Sequence, residues 1–184
     1  MAELDLSQYD RDVCIGSGSY GQVYKIRNKK TSEWFAAKRS SHPLTDPNDN
    51  YLKMLESEIN NLIKLKHAAI ISCYGYSKVD FSKEPFLVIV MELADKALSA
   101  VIELERKSIS DPLYFSQKLK CTIGIALGMA YLHSNGILHC DLKPDNIFLS
   151  GEHLDVVIVD PAPFKPILIQ QSHLHLFYHY FTTN

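Results

Sequence analysis

The 184-residue sequence lacks several features that would place it early. Its four cysteines (Cys14, Cys73, Cys121, Cys140) are scattered and form no Cys-x-x-Cys pair. That argues against a disulfide framework and for reduced thiols in a cytosolic or nuclear protein. The formal net charge is only -2, so nothing points to nucleic acid or to an anionic membrane. No apolar run approaches the length of a membrane span. The start, Met1-Ala2-Glu3-Leu4-Asp5, is acidic and lacks the apolar core of a signal peptide. No internal repeat or low-complexity segment occurs. What is present is 46% hydrophobic residues, enough for a packed core, in a length that suits one domain or two small ones.

The richest stretch is His139-Cys140-Asp141-Leu142-Lys143-Pro144-Asp145-Asn146. It sets a carboxylate, an ammonium and an amide between two apolar runs, Gly136-Ile137-Leu138 and Ile147-Phe148-Leu149. Pro144 fixes its own φ and biases Lys143 away from helix, so a rigid loop between a helix and a strand is expected. Such a set suits phosphoryl transfer. Asp141 can accept a hydroxyl proton, Lys143 can offset charge on the phosphate, and the Asn146 oxygen can ligate Mg. Taken alone, the same triplet could be a charged surface turn.

Earlier in the chain, residues 10–39 read as three antiparallel strands. Val13-Cys14-Ile15 leads into Gly16-Ser17-Gly18-Ser19-Tyr20-Gly21, and Gln22-Val23-Tyr24-Lys25-Ile26 follows with the alternation of a half-buried strand. A Gly-x-Gly-x-x-Gly pattern before a helix suggests a dinucleotide site. Here a strand follows, and Gly16, Gly18 and Gly21 let backbone amides approach phosphate oxygens. Asn28 to Ser32 is a polar turn, and Trp34 to Lys38 is the third strand. Residues 40–50 are rich in breakers and read as a loop, with Asn48, Asp49 or Asn50 able to cap a following helix. Leu52, Leu55, Ile59, Leu62, Ile63 and Leu65 recur at helical spacing. Ala69-Ile70-Ile71 and Phe86 to Met91 read as two further strands, the second buried. Leu98 to Arg106 is a short helix. Asp111-Pro112 opens a longer one, which runs to about Ser134 with Leu119, Ile123, Ala126, Leu127, Ala130 and Tyr131 inward and Gly136 as its stop. Gly124 and Gly128 cost the helix about 1 kcal/mol each, so close packing is expected there.

These features together resemble the eukaryotic-type protein kinase family, serine/threonine type. The catalytic loop is similar at seven of eight positions to the family's His-Arg-Asp-Leu-Lys-Pro-x-Asn, with Cys140 in place of Arg. The resemblance implies an α+β fold: a small lobe of a five-stranded antiparallel sheet plus one helix (residues 1–94), then an incomplete helical large lobe (95–160). It implies ATP and Mg as cofactors. Gly16, Gly18 and Gly21 would cover the phosphates and Lys38 would hold them. Glu58, with Glu56 as the alternative, would orient Lys38. Val23 and Ala36 would sandwich the adenine above Phe148. Met91 would border the pocket, and the backbone of Glu92 to Ala94 would bond the adenine edge. Asp141 and Lys143 would be catalytic, and Asn146 and Asp160 would hold Mg. Lys143, two residues after Asp141, favours serine/threonine over tyrosine specificity.

The likeness ends at Asp160, where Asp160-Pro161-Ala162 stands for the family's Asp-Phe-Gly. Residues 161–184 read as an unrelated tail in which three prolines within six residues forbid regular structure. His173, His175 and His179 invite a metal, but no Cys or carboxylate joins them. The expected function is a truncated serine/threonine kinase domain acting on a protein substrate, with a non-catalytic nucleotide-binding or scaffold fragment as the alternative. Without the Arg at position 140, no activation by phosphorylation after Asp160 is expected. The long helix is apolar on more than one side (Tyr114, Phe115, Leu119, Ile123, Ile125, Leu127, Met129), so the chain is expected to be aggregation-prone or chaperone-bound.

Overall fold

The structure is a computed structural model that describes residues 3–18, 21–44, 59–60, 62–108, 113–151 and 154–159. Five antiparallel strands form the first sheet: β1 (Tyr9–Gly18), β2 (Gly21–Asn28), β3 (Trp34–Pro43), β4 (Cys73–Ser77) and β5 (Phe86–Glu92). Their spatial order is β1-β2-β3-β5-β4. Then come β6 (Lys96–Ala97), α1 (Leu98–Arg106), α2 (Phe115–Ser134), β7 (Ile147–Ser150) and β8 (Asp155–Ile158). β6, β7 and β8 make a small second sheet.

The expected glycine hairpin, third strand and fifth strand are all formed. β2 shows why: Ile26 is fully buried while Arg27 faces solvent. The turn after it is held by Asn28, whose Oδ1 accepts from Lys30 N (2.9 Å) and Thr31 N (3.0 Å). β5 is an interior strand, paired on both sides by β3 and β4, and Val88, Ile89 and Val90 are essentially inaccessible; burying each such side chain contributes about 1.5–3 kcal/mol.

Three readings need correction. β3 does not stop at Lys38 but runs to Pro43, because Arg39 pairs with Val88 and Pro43 with Phe86 across a bulge. The strand expected at residues 69–71 is instead Cys73–Ser77; Ile70 makes only a single parallel bridge to Ile158. Ile71 N donates to Ile158 O (3.0 Å) and Ile158 N donates to Ala69 O (2.9 Å), so this segment ties the two sheets together rather than extending one. The third concerns α2. Leu119, Ile123 and Leu127, expected inward, are exposed, as are Ala126 and Ala130; Cys121, Gly128 and Leu132 are the buried residues. The glycines decide that orientation. A Cβ on Gly124 would lie 2.9 Å from Val156 Cβ, and one on Gly128 would lie 2.7 Å from Ile158 Cδ1 and 3.2 Å from Ala69 O. β8 therefore sits against the glycine side, and the bulkier apolar residues face out.

α2 ends at Ser134, and Gly136 (φ 71°) follows in the left-handed region, as a helix stop should. Leu62 and Leu65 share one apolar core with Cys121, Leu132, Ile147 and Ile158. Residues 59–60 and 62–64 are helical. The expected helix start (residues 48–58, including Glu56 and Glu58), Asp160 and the tail lie outside the described residues, as do Asp111 and Pro112. α2 nevertheless begins later than the expected Asp111-Pro112 start: residues 113–114 are not helical, and Tyr114, in extended conformation, is the N-cap of a helix that opens at Phe115. No helix among the described residues is long and apolar enough to cross a membrane.

Candidate active site

Between the two sheets lies a cavity of about 200 Å³. Its roof is Ile15 of β1, Val23 of β2, and Ala36 and Lys38 of β3. Val23 pairs with Lys38 in the ladder, which puts the two on one face of the sheet, and alternation adds Ala36. Phe148 and Val159 line the opposite side, and Ile71 joins them. Met91, Glu92, Leu93 and Ala94 border the cavity where β5 leaves its sheet. Glu92 N–H is committed to Ser72 O (2.9 Å), so its contribution to a ligand would come from its carbonyl; Leu93 and Ala94 lie beyond the strand.

The glycines of the β1–β2 hairpin are not equivalent. Gly16 pairs with Val23, and Gly18 pairs with Gly21. Gly21 adopts φ 133°, and a Cβ there would fall 1.9 Å from Arg39 O, a backbone atom. Only glycine fits. A Cβ on Gly18 would meet nothing within 4 Å, so open space lies beside the chain there.

The loop from His139 to Asn146 forms the catalytic side. His139 is buried, with Nε2 2.8 Å from Val159 O. Assigning the ring proton to Nε2 makes it the donor and leaves Nδ1 facing Asp141 N at 3.4 Å. Cys140 then reverses the chain at φ 57°, a left-handed conformation that costs a non-glycine residue about 1 kcal/mol or more. The reversal keeps His139 inside while Asp141 stays 28% exposed. Lys143 Nζ lies 3.2 Å from Asp141 Oδ2. Lys143 is extended, as expected before Pro144, and a short 3-10 turn, Pro144–Asn146, then brings Asn146 back to Asp141, with Pro144 at its first position. Asn146 Nδ2 donates to Asp141 O (2.8 Å) and Asp141 Oδ2 (3.2 Å). This leaves Asn146 Oδ1 as the amide's remaining acceptor, on a residue that lines the cavity.

The structure thus brings Val23, Ala36, Lys38, Met91, Glu92, Ala94, Phe148 and Asn146 to one cavity, with Asp141 and Lys143 attached through Asn146. Val159 N donates to Asn146 O (3.0 Å), and the next residue, Asp160, lies outside the described residues, as does Glu58. An amide oxygen from Asn146 and a carboxylate from Asp160 would form an all-oxygen donor set, which fits Mg rather than a softer metal. Among the described residues no cluster of three or more His, Cys, Asp or Glu could hold a metal. Sequence reasoning missed Ile15, Ile71, Asp145 and Val159 as lining residues. Ile15 and Val159 adjoin Gly16 and Asp160, so motif adjacency could have found them; Ile71 reaches the cavity only through its pairing with β8.

Known proteins resemble this chain in sequence. The protein kinase domain family matches residues 9–161. A probable serine/threonine-protein kinase of Dictyostelium discoideum is 34% identical over 152 residues, covering 82% of this chain and 15% of that protein. Cyclin-dependent kinase-like 1 of Caenorhabditis elegans is 32% identical over 145 residues, covering 79% and 38% respectively. Human serine/threonine-protein kinase TAO2 is 33% identical over 136 residues, covering 74% and 10%. The chain therefore spans well under half the length of each of these relatives.

Proposed function

The chain belongs to the protein kinase family, and we propose that its cavity takes Mg-ATP and that its catalytic loop directs the γ-phosphoryl group to a serine or threonine hydroxyl of a protein substrate. The observation that carries this reading is the Asp141–Lys143–Asn146 cluster set against a cavity roofed by Lys38. Adenine would lie between Val23 and Ala36 above and Phe148 below, with the Glu92 carbonyl and the Ala94 backbone at its edge. Gly16, Gly18 and Gly21 would cover the phosphates, and Lys38, oriented by Glu58, would bind them. Asp141 would accept the substrate hydroxyl proton, and Lys143, already beside it, would neutralise charge on the group in transit. Asn146 and Asp160 would hold Mg, which when bound offsets the charge of the phosphates.

A second reading, a nucleotide-binding or scaffold domain without transfer, is favoured by one observation: Pro161-Ala162 follow Asp160 where the family has Phe-Gly. Two measurements on the same preparation separate them, the thermal shift with Mg-ATP and phosphate transfer to a generic protein substrate. A shift with transfer supports the first reading, and a shift without transfer the second. No shift at millimolar Mg-ATP, with the fold verified by circular dichroism, would refute both. A cytoplasmic or nuclear location, and capture by chaperones through the apolar outer face of α2, complete the proposal.

A further inference from the structure

The outer face of the five-stranded sheet carries a second cavity, of about 400 Å³. It lies on the side of the sheet opposite Val23 and Lys38, because Arg11 pairs with Ile26 and alternation turns Val23 the other way. Four segments converge on it. Leu6 and Ser7 of a 3-10 turn form one wall, Tyr9, Asp10 and Arg11 of β1 another, and Lys29 of the β2–β3 turn with Asp80, Phe81 and Lys83 between β4 and β5 close it.

The charges around it are unevenly committed. Asp80 is held by Arg39 (Nε to Oδ2, 2.7 Å) and by backbone N–H groups of Ser82 (2.7 Å) and Glu84 (3.1 Å). Asp10 lies 3.5 Å from Lys29 Nζ, which also donates to Ser7 O (2.8 Å). Asp5 caps the 3-10 turn through Ser7 N (2.9 Å) and Ser7 Oγ (2.6 Å). Arg11 and Lys83 remain, and neither has an ion-pair partner among the described residues. Arg11 is also oriented: its guanidinium lies over Tyr24, 4.8 Å from the ring centroid, and 5.8 Å from that of Phe81. A stacked guanidinium keeps its N–H edge for a ligand.

We propose that this cavity is a binding site for a phosphate monoester carried on an apolar or aromatic body. Two cations on different segments, neither in a close ion pair among the described residues and Lys83 only within the longer-range field of Asp5, match the two charges of a monoester better than the single charge of a carboxylate. The partly buried Tyr9 and Phe81 offer apolar surface to the group that carries it, and the volume is larger than an inorganic ion needs. The site is separated by the sheet from Lys38, so it would serve recruitment of a phosphorylated ligand rather than phosphoryl transfer.

The test is amide chemical-shift mapping of the full chain with phenyl phosphate, benzoate and inorganic phosphate. Phenyl phosphate should move the amides of Arg11, Phe81 and Lys83 and bind at least about ten-fold more tightly than benzoate. Lys83→Gly removes one charge at a residue whose φ of 66° suits glycine, and Arg11→Gln keeps most of the stem over Tyr24. Each should weaken phenyl phosphate at least about five-fold and leave the Mg-ATP thermal shift unchanged. A phosphotyrosine peptide that binds more tightly than phenyl phosphate would identify a protein source for the monoester, and equal binding would identify a free small ester. The assignment is overturned by any of three results: no saturation at millimolar phenyl phosphate, benzoate binding as tightly, or both variants binding as wild type while Lys38→Met abolishes binding.

Discussion

Gly21→Ala is expected to be among the costliest single methyl additions in the small lobe, and Gly18→Ala, three residues away, to be nearly silent in stability. At Gly21 the added Cβ would start 1.9 Å from Arg39 O and 3.2 Å from Ser40 C, and φ is 133°. Neither backbone atom can rotate away, so β2 must part from β3 where Gly21 pairs with Ser40. The dihedral alone costs an L-residue about 1–3 kcal/mol. Losing one or two ladder hydrogen bonds adds about 1 kcal/mol each. A total near 3 kcal/mol should lower the melting temperature by about 6–12 °C in a chain of this size. At Gly18 no described atom lies within 4 Å of the added Cβ, and the change should stay within about 0.5 kcal/mol. The two differ again in ligand response. Gly18→Ala puts a methyl where phosphate oxygens would approach, so it should reduce the Mg-ATP thermal shift while the apo melting temperature holds. The assay is differential scanning calorimetry of both variants with and without nucleotide. A Gly21→Ala protein that melts within 2 °C of wild type would refute the reasoning, since the clash would then have been absorbed without parting the strands.

Four further outcomes follow from the same structure. Lys38→Met should reduce the stabilisation by nucleotide, which at 100 times the dissociation constant is about 2.7 kcal/mol for an intact site; an equal shift in both proteins would remove Lys38 from the site. Burial raises the Asp80 carboxyl, but the Arg39 side chain and the Ser82 and Glu84 backbone outweigh it and hold it below the usual carboxylate range. Its stabilisation is therefore complete above the unfolded value near pH 3.9 and is lost as pH falls through the folded one, so acid unfolding of Asp80→Asn should show a shallower slope below about pH 4. Burial pushes the Cys73 thiol up to about 11, so at pH 8 iodoacetamide should label the exposed Cys14 and Cys140 and leave Cys73 unmodified; mass spectrometry of the intact fold reads this directly. Phe115, Leu119, Ile123 and Leu127 are between 48% and 82% exposed at four-residue spacing along α2, so Phe115→Ser with Leu127→Gln should lower the sedimentation coefficient distribution toward monomer, and no change would place association elsewhere.

The local chemistry of this protein was legible in its sequence because it depends on short spacings. The glycine hairpin, the Lys38 strand, the helix Leu98–Arg106 and the loop from His139 to Asn146 each carry their own turn residues and periodicity, and all form where those signals place them. The close packing at Gly124 and Gly128 was legible too, since glycine inside a helix has a cost that contact must offset. What touches those glycines was not. Val156 and Ile158 lie some thirty residues further on, and only that meeting decides which face of α2 turns inward. A helix apolar on more than one side gives little periodic hint of its orientation, which is why Leu119, Ile123 and Leu127 read as core and stand in solvent. The same holds for Ile70, β-like in composition yet joined by one bridge to Ile158, and for β3, which continues past its breakers because β5 offers it a partner. Side-chain pattern fixes what a segment can bury; the distant strand that arrives beside it determines which side is buried and where pairing stops.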